Sequence, residues 1–282
     1  MKRIVRSCLN AVAVAGLLLG VARPASGQPA APPSKAPPSD AKLDLFLLVG
    51  QSNMAGRGTI EAQDRVADPR VWTLNEAGEW VAAVDPLHFD KNKKNGVGLG
   101  RTFGVRVAAT AKDRGDVAHV GLIPCAVGGV SIDQWKVGGK LYADAVRRGK
   151  IALKHGRLAG ILWHQGESDT KPEKVAKYAA KLDTIVAAFR KELNAPDAPL
   201  VVGRLGVFDP VKNAPRVGFN EMITQYAADR PGTGLVDAAG LSSVGDNTHF
   251  DAASQRELGR RYAEAFLKLK RPTTRPDRTK KE

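Results

Sequence analysis

Apolar residues along this chain fall into two patterns, short unbroken runs and longer stretches that recur every three to four residues. Leu45-Phe46-Leu47-Leu48-Val49 has no polar interruption, which predicts a strand buried on both faces. Runs over 119–124, 159–163, 199–205 and 234–238 predict four more strands. Residues 70–75 and 79–84 flank Glu76-Ala77-Gly78, a turn signal that predicts a small hairpin or one short strand and its return. The helical period appears over 100–114, with Phe103, Val107 and Ala111 on one stripe, and over 141–154 and 218–228. It is clearest after Pro172, where Val175, Ala179, Leu182, Val186, Phe189 and Leu193 recur, and it returns in Leu258, Tyr262, Phe266 and Leu269. Residues 85–98 mix Pro, Asn, Lys and Gly and read as a surface loop. Strands alternating with helices across short connections imply an α/β fold, with a parallel sheet covered by helices on both faces.

In such a sheet, ligands bind beyond the carboxyl ends of the strands. Four loops fall there: Gly50-Gln51-Ser52-Asn53-Met54-Ala55-Gly56, the Gly-rich exit at 125–132, residues 164–169, and residues 245–250. The first places a serine hydroxyl at the rim, between glycines that permit a tight strand exit. Nucleophilic serine chemistry needs a base for the hydroxyl proton, a carboxylate to orient that base, and donors for the oxyanion. Asp246 and His249 are three residues apart, close enough on one turn for the carboxylate to receive the imidazole Nδ1 proton while Nε2 faces Ser52. The glycines at 128 and 129 can expose a backbone N–H, and Gln165 can supply a side-chain amide.

Composition adds an address more than a chemistry. At 282 residues with 43% hydrophobic content, the chain is long enough for one sizeable α/β domain. Residues 1–27 read as a secretory leader, with Lys2, Arg3 and Arg6 at the start, an apolar centre over 11–21 and Ala25-Ser26-Gly27 as the cleavage site. That centre is too short for a confident spanning helix, so no stable membrane insertion is expected after cleavage, and the mature protein is expected to be secreted or periplasmic. Residues 28–42 read as a Pro/Ala-rich linker, 43–268 as the folded domain and 269–282 as a basic tail. Cleavage removes four cations and no acidic residue, so the formal charge falls from +14 to +10. Residues 268–282 alone carry a net +5 in solvated chain, and no nucleic-acid partner is expected. Cleavage also leaves Cys125 as the single cysteine, which excludes an intramolecular disulfide and a cysteine-based zinc site.

Gly50-Gln51-Ser52-Asn53-Met54, Gly128-Gly129, Trp163-His164-Gln165-Gly166-Glu167 and Asp246-x-x-His249 together resemble the SGNH hydrolase superfamily, in the branch of sialate O-acetylesterase-like and carbohydrate esterase family 6 acetylesterases. Gln51 stands where the wider superfamily has aspartate, and Gln165 where it has asparagine; both departures match this branch. The resemblance spans 43 to about 268. It implies a flavodoxin-like three-layer α/β/α fold with Ser52 as nucleophile, His249 as base and Asp246 as its orienter. It also implies an oxyanion hole from the Ser52 N–H, a glycine N–H (Gly129 preferred over Gly128) and the Gln165 amide. Gln51, Asn53, His164 and Glu167 read as anchors between rim loops or as substrate contacts.

The function so implied is hydrolysis of O-acetyl esters on carbohydrates through an acyl-enzyme, with an acetylated carbohydrate as partner and neither cofactor nor metal. Two other readings compete with it. A metal-dependent hydrolase could draw on His164, Glu167, Asp169, Asp246 and His249, but no pair has the spacing of known zinc motifs. A carbohydrate-binding protein that kept the fold without catalysis would be expected to have lost Ser52, Asp246 or His249, and none is missing. An ordinary α/β-hydrolase is disfavoured because position 54 is not glycine.

Overall fold

The computed structural model describes residues 36–38, 41–91, 94–113 and 119–269, with side chains left out for 111–113. The expected leader, most of the linker and nearly all of the basic tail lie outside the described residues. Seven strands form one sheet: β1 (Leu43–Gly50), β2 (Val71–Leu74), β3 (Trp80–Ala82), β4 (His119–Pro124), β5 (Gly156–His164), β6 (Leu200–Gly203) and β7 (Thr233–Val236). Their spatial order is β3-β2-β4-β1-β5-β6-β7, and every pair is parallel except the β2–β3 hairpin. Among the described residues six α-helices accompany them: α1 (Ser52–Ala55), α2 (Leu99–Asp113), α3 (Lys140–Ala152), α4 (Pro172–Glu192), α5 (Pro215–Ala228) and α6 (Ala252–Lys268).

The two-residue period of a strand divides the unbroken run of β1 between two cores. Leu45, Leu47 and Val49 join a cluster with Trp135, Tyr142, Leu182, Phe189 and Phe219, from the side of α3, α4 and α5. Phe46 and Leu48 join Phe103, Val107, Leu258, Tyr262 and Phe266, from the side of α2 and α6. Phe46 packs edge-to-face on Phe103 at 4.8 Å and on Phe266 at 5.0 Å, an arrangement worth ~0.5–1.5 kcal/mol per pair beyond burial. The fold is therefore three-layered, with a mostly parallel sheet between two helical layers.

After β1 the chain moves to one side of it for β2, β3 and β4, then crosses to the other side for β5, β6 and β7. The carboxyl end of β1 is thus a topological switch point, the place where open α/β sheets leave a crevice. Ser52 lies two residues beyond the end of that strand.

One expected element differs. Residues 85–98 are only partly a surface loop: Pro86, Lys91 and Lys94 are exposed, but Asp85, Leu87, His88 and Val97 are buried. Two of the polar residues that suggest exposure find partners inside. Asn95 Nδ2 donates to His88 O at 2.8 Å, and Asp90 Oδ2 receives Arg57 Nη2 at 2.8 Å, so these groups stay partnered where the segment packs down.

Candidate active site

Gly50 ends β1 at φ +147, and a Cβ there would lie 2.1 Å from His164 O, so only glycine lets β1 and β5 meet at this point. Ser52 then opens the single turn α1, which closes on Gly56 at φ +91. The serine is 5% exposed. Its Oγ lies 3.0 Å from His249 Nε2, and His249 Nδ1 lies 2.6 Å from Asp246 Oδ2. With the ring proton on Nδ1 donated to Asp246, Nε2 is left to accept the serine proton.

Asp246 is held by its own turn, because its Oδ1 accepts the Thr248 and His249 N–H groups at 2.8 Å each. Burial pushes this carboxyl up, but those two N–H bonds and the His249 ring outweigh it and hold the group below its ordinary value. Asn247 takes φ +54 within the turn, and its carbonyl accepts from Arg216 Nη2 and Asn213 Nδ2, each at 3.1 Å. Asn53 ties the same turn to the serine. Its Nδ2 donates to Thr248 O at 2.9 Å and Glu167 Oε1 at 2.5 Å, and its Oδ1 accepts the Phe250 N–H at 3.2 Å. Asn53 and Glu167 thus link rim loops through hydrogen bonds.

The remaining expected residues divide. Gly128 N–H is committed to Asp90 Oδ2 at 2.7 Å, so of the paired glycines Gly129 keeps its N–H free of any acceptor among the described residues. Gly129 sits at φ +80 with open space around it. The Ser52 N–H is free in the same sense. Gln165 does not fit the role of oxyanion donor. It is 1% exposed, and its two amide protons already face three acceptors: Asp169 Oδ2 at 2.6 Å, Gln51 Oε1 at 3.0 Å and Val130 O at 3.1 Å. Tyr178 OH donates to Gln165 Oε1 at 2.6 Å and so fixes which way the amide points. A donor spent on a buried carboxylate is not available to a developing charge elsewhere. Gln51, by contrast, has its Oε1 held by Gln165 while its own amide nitrogen meets no acceptor among the described residues.

His164 is fully buried and makes no outward contact. Its Nδ1 lies 2.9 Å from Tyr262 OH, which donates to Trp163 O, and burial lowers the ring's pKa. In its burial and partners it is a core residue. The alternative ligand set His164, Glu167, Asp169, Asp246 and His249 is parcelled out among separate hydrogen-bond networks. Among the described residues no group of three or more His, Cys, Asp or Glu is placed to hold a metal ion, and no helix is long and apolar enough to cross a membrane.

Sequence reasoning missed Asp90 and Arg57, Asn213 and Arg216, and Tyr178. Each acts on a partner at least ten positions away or through a backbone atom, so no local motif marks it.

Residues 42–268 match the profile of a family described as "Carbohydrate esterase, sialic acid-specific acetylesterase". The chain is 33% identical over 247 residues to a probable carbohydrate esterase of Arabidopsis thaliana, covering 79% of this chain and 90% of that one. The X-ray structure of that plant protein superposes with a TM-score of 0.70 at 29% identity, over 80% of this chain and 98% of that one. NanS superposes at 0.61 and 19% identity, over 80% and 98% of the two chains. A carbohydrate acetylesterase from Xanthomonas citri gives 0.59 and 19%, over 80% and 56%. At those last identities the likeness speaks for the fold alone.

Proposed function

Because this chain belongs to the carbohydrate esterase family of sialic acid-specific acetylesterases, and is therefore a carbohydrate O-acetylesterase, we propose that it works through an acyl-enzyme on Ser52. The observation that carries this reading is the continuous relay from Asp246 Oδ2 to His249 (2.6 Å) and from His249 to Ser52 Oγ (3.0 Å). Ser52 Oγ attacks the acetyl carbonyl carbon while His249 Nε2 takes the hydroxyl proton, and the carbonyl oxygen becomes the oxyanion. The tetrahedral centre then collapses. The C–O bond to the sugar breaks, the sugar oxygen leaves with the proton held by His249, and acetyl-Ser52 remains. Water, deprotonated by the same imidazole, attacks that ester, and its collapse returns acetate and the serine hydroxyl.

The oxyanion donors in this reading are the N–H groups of Ser52 and Gly129 and the side-chain amide of Gln51. Gln51 takes the place expected for Gln165 because its nitrogen is uncommitted, while Gln165 grips its carbonyl and prevents the amide from flipping. Asp246, kept ionised, orients the imidazole and stabilises the imidazolium without being protonated.

The test is covalent. Incubation with a serine-directed fluorophosphonate should add one label per chain by mass spectrometry, and Ser52→Ala should abolish both label and acetate release from a chromogenic acetate ester. Full activity in Ser52→Ala would refute the mechanism. We also propose export, on the order of basic start, apolar centre and small-residue site in residues 1–27. Amino-terminal sequencing of the protein from a host with intact export should begin near residue 28, and recovery of chain starting at Met1 from the cytosol would refute it.

A further inference from the structure

Two of the donors proposed for the oxyanion, the N–H groups of Ser52 and Gly129, sit on loops that leave different strands, β1 and β4. The backbone ties those loops only loosely where they meet. Val127 N–H reaches Gly50 O at 3.3 Å, longer than the ~2.7–3.2 Å of a well-formed bond. Gly128 and Gly129 have no Cβ to restrict them, so the peptide plane between them can rotate at little steric cost. The direction of the Gly129 N–H must therefore be set from outside its own loop.

A buried ion pair lies in the right place to do this. Asp90 Oδ2 accepts the Gly128 N–H at 2.7 Å and Arg57 Nη2 at 2.8 Å, within the short range of charge-assisted bonds, and the two side chains are 1% and 9% exposed. Arg57 also donates from Nη1 to Gly56 O at 2.8 Å, and the Gly56 N–H closes α1 on Ser52 O at 2.9 Å. A continuous path of hydrogen bonds thus runs from Ser52 through Gly56, Arg57 and Asp90 to Gly128, the residue before the free N–H. A Cβ on Gly128 would lie 2.5 Å from Arg57 Nη2, 3.1 Å from Asp90 Oδ2 and 3.5 Å from Ser52 Cβ, so the pair packs on the loop where it passes the serine. The Arg57 guanidinium also offsets a carboxylate charge that would otherwise oppose the one developing on the oxyanion.

We infer that Arg57 and Asp90 are positioning residues for deacetylation: they clamp the Gly128-Gly129 loop to the Ser52 turn and so set the spacing of the two oxyanion N–H groups. The inference rests on Ser52 being the nucleophile and the Gly129 N–H a donor. A misplacement of about 1 Å can cost ~10²-fold in rate, and because these donors act on charge that exists only in the transition state, the loss belongs in kcat and not in KM. Asp90 itself offers a way to separate bond from charge. Its Oδ1 is buried with no hydrogen-bond partner, so Asp90→Asn can put the amide nitrogen there and leave the oxygen to both donors, whereas Asp90→Ala keeps neither bond.

The experiment compares full-length wild type, Asp90→Ala, Asp90→Asn and Arg57→Lys on a chromogenic acetate ester. Turnover is counted per active site titrated with a fluorophosphonate, so that unfolded chain drops out. Methylboronic acid, which forms a tetrahedral adduct with a serine hydroxyl, probes the oxyanion donors without turnover. Asp90→Ala should lower kcat per site by about tenfold to a hundredfold with KM little changed, and should weaken inhibition by methylboronic acid by a similar factor. Asp90→Asn should recover most of both. If Asp90→Ala does not fold, Arg57→Lys decides, because one ammonium keeps the charge without the planar fork that bridges Asp90 and Gly56. A fall in its kcat per site supports the clamp, and an unchanged value overturns it. The clamp is also overturned if Asp90→Ala keeps its kcat per site, if KM rises while kcat holds, or if Asp90→Asn is no better than Asp90→Ala. Acetate release that survives Ser52→Ala would fell the acyl-enzyme reading and the clamp with it, whereas an inert Ser52→Ala beside a fully active Asp90→Ala would overturn the clamp alone.

Discussion

The relay and the donor scaffold are built in opposite ways. The turn that holds Asp246 and His249 lies at the surface, with side chains 44% and 26% exposed, and the hydrogen bonds that join carboxylate to ring and backbone within it span no more than three residues. The scaffold behind the proposed oxyanion donors is buried, with Gln51 at 3%, Gln165 at 1% and Asp169 and Tyr178 completely enclosed, and it joins segments more than a hundred residues apart. A local turn can hold a base in register because its own backbone supplies the bonds. Aiming an uncharged amide needs a rigid enclosure, since amide and carbonyl ends are nearly the same shape and only their partners distinguish them.

Breaking the exposed half should have the largest effect. Asp246→Asn keeps the shape but favours the wrong imidazole tautomer, and in the serine-protease template the equivalent change costs ~10⁴ in kcat. Steady-state kinetics on a chromogenic acetate should show a loss of that order with KM little changed; a mild effect would dismantle the relay. In the buried half, Gln51→Ala should lower kcat and kcat/KM together by ~10²–10³, the signature of a donor used only in the transition state. If Gln51→Ala is silent and Gln165→Ala carries that loss, the donors have been assigned to the wrong glutamine. As a positioning residue, Gln165→Ala should cost less, within ~10²-fold for a misplacement of about 1 Å. Gln165→Glu, which reverses the polarity toward Gln51 and Asp169, should not rescue it.

The smallest effect should fall on stability rather than rate. Burial pushes the Asp85 carboxyl up to about 7, and the Gly98 N–H at 3.4 Å offsets only part of this. Between the unfolded value of 3.8 and about 7, the folded chain holds a proton that the unfolded chain has lost, so stability falls as pH rises through that window and is flat above it. Asp85→Asn should remove this slope from melting temperatures measured between pH 4 and 7, with little change in turnover. Persistence of the slope would place its origin in another group.

The architecture was legible because it depends on burial, and burial writes a period into the chain. The run at 45–49 and the α4 stripe through Leu182, Val186 and Phe189 could be read directly. Asp246-x-x-His249 was legible too, since three residues of turn suffice to bring carboxylate and ring together. The buried part of 85–98 was misread for a complementary reason. Asn, Asp and His there look exposed in a string, and only the packed structure supplies Arg57, Gly128 and the Leu48 backbone as their partners.

By itself, then, the sequence determined the three-layer frame, the strand ends that carry the four loops, and the spacing of Asp246 and His249 on one turn. Tertiary structure alone decided which glutamine is free and which is bound, which of two adjacent glycines keeps its N–H, and that Asp90 reaches the site at all. A hydrogen bond between residues 51 and 165 or 90 and 128 has no period and no spacing. It exists only because β1, β4 and β5 lie side by side in the sheet, and the direction of an amide is settled by whatever that neighbourhood sets against it.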